Sequence, residues 1–214
     1  MTSSTRDRIL EVAERLFAER GFDAVGIREI TALAGCNVSA VNYYFGNKKG
    51  LYMAVFKERL GQRAFTVQET FRREFNASQK DLKGLLRALA RAYLLAPFSE
   101  EERLIHHKLL SREAHQPTEA FHYMLKEVLL PFFNEIKEEI KRLSKGPVSE
   151  ERLRIYTISI FAIVMHFSMA RTMVSRVTGK RYTKKFLESL TEEITEFCLR
   201  GLEVCSDAED KEIG

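Results

Sequence analysis

Apolar residues recur at three- and four-residue intervals through most of this chain, and no segment alternates cleanly between apolar and polar positions. An α-helix turns about every 3.6 residues and a strand repeats about every two, so the pattern restricts the chain to helices packed on helices. Only four prolines and eleven glycines interrupt it. The fold class read from this is all-α.

The first helix runs from about Thr5 to Arg20, with Ile9, Ala13, Leu16 and Phe17 on one face. Asp7 and Glu11 fall early, where the helix dipole favours acids, and Gly21 ends the run. Ile27 to Ala34 forms a short helix, with Ile27, Ile30, Leu33 and Ala34 expected to face inward. Gly35-Cys36-Asn37 is a turn in which glycine supplies positive φ and Asn37 caps the next helix. Val38 to Phe45 is that second short helix, broken by Gly46-Asn47. Lys48 opens a longer helix reaching about Arg73, and Asn76-Ala77-Ser78 is a junction.

Further helices are predicted at about 79–96, 100–115, 118–144, 149–178 and 183–204. Pro97, Pro117 and Gly146-Pro147 mark three of the breaks, and Pro131 is expected to kink or split the segment 118–144. The acidic, polar tail from Cys205 to Gly214 reads as frayed. The linear partition is a head over 1–50, a linking helix to about 73, and a body over 74–214.

Two short helices joined by a glycine-bearing turn form a helix-turn-helix. In that arrangement the first helix touches the DNA backbone and the second enters the major groove, where base edges present a readable pattern. On the second helix Val41 and Phe45 are four apart and anchor inward, which leaves Val38, Ser39, Ala40, Asn42, Tyr43 and Tyr44 for the outer surface. Ala40 suits a thymine methyl, Asn42 an adenine edge, and the tyrosine hydroxyls phosphate oxygens. Lys48 stands at the start of the next helix, where its charge and the free N–H groups together suit a phosphate. Two tyrosines and a lysine on the outer side of so short an element make poor core.

Residues 5–60 resemble the N-terminal domain of the TetR family of transcriptional repressors. The likeness is carried by Ala18-Glu19-Arg20-Gly21-Phe22, Ile27-Arg28-Glu29-Ile30, Ala34-Gly35 and Tyr43-Tyr44-Phe45-Gly46-Asn47-Lys48-Lys49-Gly50-Leu51. It implies DNA contact for Tyr43, Tyr44 and Lys48 and an anchoring role for Phe45; Arg28 joins them as a DNA-contact candidate. Gly26 stands where the family usually has a capping threonine, Ser39 where glycine is common, and Asn42 where an aromatic is common. Further on, Arg112-Glu113-Ala114-His115-Gln116-Pro117-Thr118-Glu119-Ala120-Phe121 and Pro131 are similar to one subgroup, the regulators resembling the cefoperazone and chloramphenicol sensitivity regulator.

A helix-turn-helix reads DNA in pairs set about 34 Å apart, which calls for a homodimer on a palindromic operator. The last two predicted helices, 149–178 and 183–204, are the dimer candidates. The resemblance implies the same four-helix contact. Ile155, Ile158, Phe161, Ala162, Met165, Met169 and Met173 make the first of these apolar over much of its circumference. The family also implies a small-molecule effector that releases the operator. Candidate pocket residues for a largely apolar or aromatic ligand are Tyr93, His107, Arg112, Phe121, Phe132, His166 and Met169, with His106, Tyr123 and Phe133 nearby in sequence. Aromatics at helical spacing also serve as plain core, and Arg112 and Glu113 also suit ordinary ion pairing.

The net charge of +4 permits a nucleic-acid partner without arguing for one. Three cysteines with no C-x-x-C pair argue against a disulfide framework or zinc site and fit a cytoplasmic protein. Cys198 and Cys205, seven apart, read as small core residues. Met1 to Asp7 has no apolar run, so no signal peptide is expected, and Ile158 to Ala170 is too short to span a membrane. His106, His107, Glu113 and His115 cluster in sequence, but neither duplicated Glu-x-x-His nor His-Glu-x-x-His occurs. We therefore expect no cofactor, metal or catalysis. The competing readings are an effector-independent helical DNA-binding or adaptor protein and a metal-dependent helical-bundle enzyme.

Overall fold

The computed structural model describes residues 4–206, with side chains described as far as Leu202. The tail beyond Ser206 and the side chain of Cys205 lie outside the described residues. Among the described residues every regular element is helical. The chain runs α1 (Thr5–Ala24), α2 (Ile27–Leu33), α3 (Val38–Phe45), α4 (Lys48–Ala54), a π-helical turn (Val55–Leu60), α5 (Gly61–Asn76) and α6 (Leu82–Leu94). It continues through α7 (Glu100–His115), α8 (Glu119–Met124), a second π-helical turn (Leu125–Leu129), α9 (Leu130–Leu143), α10 (Glu150–Met169), α11 (Arg171–Thr178) and α12 (Lys184–Ser206).

Helix starts follow from capping side chains that satisfy otherwise orphaned N–H groups. Ser4 accepts from the Asp7 amide, Asp81 from Gly84 and Ser149 from Arg152. Ser99 and Glu102 close a reciprocal capping box at the head of α7.

The helices group into two compact units. One comprises Met1–Ala64 with Phe98–Leu129, the other Phe65–Pro97 with Leu130–Gly214. The packing therefore departs from the linear partition at residue 73. Leu109 of α7 and Ala120 and Met124 of α8 complete the apolar core built by Ile9, Phe17, Val41, Leu51 and Phe56. A head this small buries too little apolar surface by itself, and two later helices supply the remainder.

Within that first unit a buried carboxylate joins three helices. Glu113 is 1% exposed. It accepts from the Tyr52 hydroxyl at 2.6 Å, the Thr118 amide at 2.9 Å and the Thr118 hydroxyl at 2.9 Å. Burial and the hydrogen bond to Glu113 both push the Tyr52 phenol above its ordinary range. Arg112, next in sequence, donates to the carbonyls of Ala18 (3.2 Å) and Glu19 (2.6 Å), just before the break in α1 at Gly21.

In the second unit α6 packs against α9, α10 and α12. Leu85, Leu89, Ile136, Ile160, Val164 and Ile194 are buried there. Ion pairs from Arg87 to Glu192 (2.6 Å) and from Lys83 to Glu196 run along the α6–α12 seam. Phe71, Phe132 and Phe161 form a ring cluster with centroids 5.5 and 5.7 Å apart. Cys198 is buried, as expected of a small core residue, and burial pushes its thiol up to about 11.

Pro131 splits the segment 118–144 as expected: the proline has no N–H to give the preceding turn, and the ladder shifts to π spacing just before it. The segment 149–178 also breaks, without any proline or glycine. α10 and α11 meet at Ala170 with an 81° bend. Ser168 donates to the Tyr93 carbonyl (3.2 Å) and Arg171 to the Leu94 carbonyl (3.1 Å), so the bend satisfies acceptors at the end of α6. Among the described residues no single helix is long and apolar enough to cross a membrane.

Replacing Tyr52 by Phe removes one of the donors to a buried carboxylate. We expect a loss of about 1.5–3 kcal/mol of stability by urea unfolding. An unchanged midpoint would show that Glu113 does not depend on this hydroxyl.

Candidate nucleic-acid interface

α2 and α3 are joined by Gly35-Cys36-Asn37, with Gly35 at φ 65°. The inward face of α2 consists of Ile27, Ile30, Thr31 and Ala34, which follow the helical repeat. Leu33, expected to face inward, is 63% exposed, and Thr31 takes the buried position with its hydroxyl donating to the Ile27 carbonyl at 3.0 Å. Asn37 occupies the N-cap of α3 but makes no side-chain cap bond. Arg8 donates to the Ala34 carbonyl (3.0 Å), and Arg20 pairs with Glu29 at 2.5 Å, so α1 holds α2 at both ends.

α3 is anchored by Val41, fully buried, and by the half-buried Phe45, over which the Arg6 guanidinium lies at 5.1 Å. Opposite this anchor Ser39 and Asn42 are exposed, Val38 and Tyr44 are exposed, and Tyr43 is 83% exposed. Ala40 is half-buried. The two tyrosine rings meet edge to face at 4.9 Å, which presents both hydroxyls from one patch. Arg28 is exposed on α2.

The stretch after the tyrosines has a steric reason for its composition. Gly46 ends α3 at φ 76°, where a side chain would be strained. Asn47 caps α4 by accepting from the Gly50 amide at 2.9 Å. At Gly50 a Cβ would lie 2.0 Å from the Phe45 carbonyl oxygen, so only glycine lets α4 approach the end of α3 this closely. Lys48, expected to grip phosphate, lies over the Phe22 ring at 4.5 Å and donates to the Asp23 carbonyl at 3.3 Å. An ammonium carries three donors, so the bond to Asp23 leaves donors of Lys48 over for a phosphate.

The effector candidates divide between the units. Tyr93 is half-buried with its ring 6.1 Å from Phe161, and burial pushes its phenol upward. Phe132 is buried in the same ring cluster. Met169 is half-buried at the end of α10, whereas His166 is exposed against Phe167. In the first unit His107 and Phe121 are half-buried. Arg112 donates to the α1 carbonyls of Ala18 and Glu19. His106 carries a clearer signal than its neighbour. Its buried Nδ1 has no hydrogen-bond partner among the described residues. Burial, with Arg63, His107 and Arg103 adding to it, pushes the ring down to about 4. Sequence shows only two adjacent histidines; which one faces inward depends on how α7 packs on α1. Among the described residues no group of three or more His, Cys, Asp or Glu side chains is placed to hold a metal ion.

The family model for bacterial regulatory proteins of the tetR family matches residues 9–55. The model for the C-terminal domain of the HTH-type transcriptional dual regulator CecR matches residues 82–202. The CecR protein of Shigella flexneri is 24% identical over 206 residues, covering 92% of each chain. Over the head, the HTH-type transcriptional repressor NicS of Pseudomonas putida is 40% identical across 53 residues, 25% of each chain. The fold is shared with the fatty acid degradation regulator FadR from Bacillus halodurans (TM-score 0.63, 21% identity, 94% of this chain and 98% of that one). It is also shared with a TetR-like transcriptional regulator from Rhodococcus sp. RHA1 (TM-score 0.65, 18% identity, 94% and 98%).

Two glycine substitutions should act in opposite directions. Gly50→Ala drives a methyl into the Phe45 carbonyl and should cost about 2–3 kcal/mol in thermal or urea unfolding. Gly26, at φ −93° with nothing within 4 Å of a Cβ, caps α2 without a side-chain bond. Gly26→Ser should therefore stabilise by about 0.5–1 kcal/mol.

Proposed function

The chain belongs to the TetR family of bacterial transcriptional regulators, with a C-terminal domain of the CecR kind, and on that basis we propose that it is a homodimeric repressor released from a palindromic operator by a small effector. Its relatives are regulators rather than enzymes. The observation that carries the DNA-reading part is α3 itself, a helix held by Val41 and Phe45 with Ser39, Asn42 and both tyrosines turned to solvent. In this reading Asn42 and the small residues before it meet base edges. Tyr43, Tyr44, Arg28 and Lys48 meet phosphates, which fixes register without reading sequence. A protein working on a bacterial operator acts in the cytoplasm.

Dimerisation is supported by the outer side of the second unit. On α10, Leu153, Thr157, Ile160, Val164 and Ser168 are buried within the unit, whereas Ile155 and Ile158 are exposed. Phe161, grouped by sequence with the apolar dimer candidates, belongs to the inner ring cluster. Met173 and Val177 on α11 and Phe197 on α12 add further exposed apolar side chains. Such surface is costly to leave in water and is covered by a second subunit in this reading.

The effector part is supported by the membership of the first unit. α7 and α8 share a core with the head, and Glu113 ties α7 to Tyr52 of α4. A ligand that reaches His106 and displaces α7 thereby acts on the helix that braces α3. Release follows from a difference in ligand affinity between two conformations and needs no chemistry.

In binding assays on a selected operator, Tyr43→Phe should weaken all sequences alike by about five- to tenfold. Asn42→Ala should cost about 1–3 kcal/mol and relax preference at one base position; a uniform loss would remove Asn42 from base reading. Ile158→Glu should give monomers by sedimentation together with weak operator binding, and an intact dimer would exclude this face. Screening aromatic and antibiotic-like compounds against the protein–operator complex should identify releasing ligands whose effect His106→Leu abolishes. Release that His106→Leu leaves unaltered would place the effector elsewhere.

A further inference from the structure

The connection between α11 and α12 carries charge of one sign. From Arg171 to Leu187 the chain has six cations and no acid. Arg171 is engaged inside the fold, donating to the Ser168 and Leu94 carbonyls and lying over the Tyr182 ring. The other five, Arg176, Lys180, Arg181, Lys184 and Lys185, are exposed. Among the described residues none of their charged ends pairs with an acid, Glu188 on the next turn included. The first turn of α12 holds no acid either, although the helix dipole favours one there. Met173 and Val177, four apart on α11 and exposed, adjoin these cations.

Like charges held this close repel one another unless something negative covers them. The chain has an acidic segment to match. Asp207, Glu209, Asp210 and Glu212 follow α12 directly, with Lys211 the one cation among them. Within one subunit they cannot reach. α12 runs from Lys184 to Ser206, a rise of about 33 Å at about 1.5 Å per residue. Extended back along the helix at about 3.6 Å per residue, the four acids fall about 10 to 30 Å short of Lys184. A second copy removes the difficulty. Phe197 is 69% exposed near the middle of α12, while Ile194 and Cys198 beside it are buried. Antiparallel pairing of two α12 helices across Phe197 brings the end of one beside the start of the other, as a two-fold axis permits.

We propose that residues 207–214 of a second copy dock on the basic α11–α12 connection of the first, and the reverse, so that two charge latches close the dimer. The inference rests on the homodimeric reading above and goes beyond it by naming what holds the two ends of the interface. Apolar side chains such as Phe197 and Val177 supply contact area there. The latches set direction, since parallel pairing would place acid on acid and cation on cation.

The test is sedimentation equilibrium of the full chain at low salt with two charge-reversed variants. One carries Lys180→Glu, Arg181→Glu, Lys184→Glu and Lys185→Glu; the other carries Asp207→Lys, Glu209→Lys, Asp210→Lys and Glu212→Lys. Each variant alone sets like charges across both junctions and should dimerise about tenfold or more weakly than the wild type. An equimolar mixture should recover wild-type affinity, because the mixed dimer pairs opposite charges at both junctions. High salt should level these differences. Circular dichroism melting should show both variants folded, and the same four cations changed to Gln provide a milder form should the reversal unfold the chain. Variants that dimerise as tightly as the wild type, or a mixture no tighter than its components, would overturn the latch and leave the homodimer standing. A wild type that stays monomeric would overturn both. If the first variant keeps the dimer intact but binds phosphatidylglycerol vesicles or random-sequence duplex DNA more weakly, the connection serves that polyanion and the latch falls.

Discussion

A carboxylate removed from water must find partners, and Glu113 finds one 61 positions away and another in the turn that follows its own helix. Tyr52 comes from α4, and Thr118 gives both its amide and its hydroxyl from the turn into α8. If any of the three shifts, the charge loses compensation, so α4, α7 and α8 are tied to one arrangement. The same arrangement places Leu109, Ala120 and Met124 in the core of the head. Hydrophobic burial would tolerate several packings of such helices; the polar cluster selects among them. Arg112 reinforces it from the adjacent position by meeting carbonyls at the break in α1.

From α4 the constraint passes to α3 through a close approach of backbones. Gly50 sits against the Phe45 carbonyl, and Asn47 closes the corner with its cap. The exposed tyrosines are therefore set by contacts beneath them and owe little to α3 itself, which is two turns long and too short to be stable alone. Rigid presentation of this kind is what base reading requires, because a recognition helix that rocks loses its register. It also makes α4 the lever through which a change in α7 would reach α3.

Much of this is legible in the sequence because it depends on local physics. Capping residues and helix breakers place α3 at Val38–Phe45 and α7 at Glu100–His115, and Pro131 announces the split before α9. The inward pair Val41 and Phe45 comes from spacing alone. The departures have a common origin. Leu33 reads as core for its apolar side chain, whereas the helical repeat running through Ile27, Ile30 and Ala34 selects Thr31, whose hydroxyl is satisfied within its own turn. The bend at Ala170 has no breaker in the sequence; it is made by Ser168 and Arg171 meeting α6 carbonyls 75 and 77 positions away. Lys48 reads as a free cation, and its attachment to Asp23 depends on the path of the α1–α2 connection.

The sequence by itself determined the all-helical class, the boundaries of most helices, the helix-turn-helix and the side of α3 that faces outward. All of these arise from interactions a few residues apart, where periodicity, caps and glycines act directly. Only the tertiary structure decided that α7 and α8 belong with the head, that Glu113 rather than Arg112 is buried, and that the Nδ1 of His106 is buried without a hydrogen-bond partner among the described residues. These depend on which helix face meets which neighbour. That is settled by the joint packing of residues far apart in the chain, and no short window of sequence contains it.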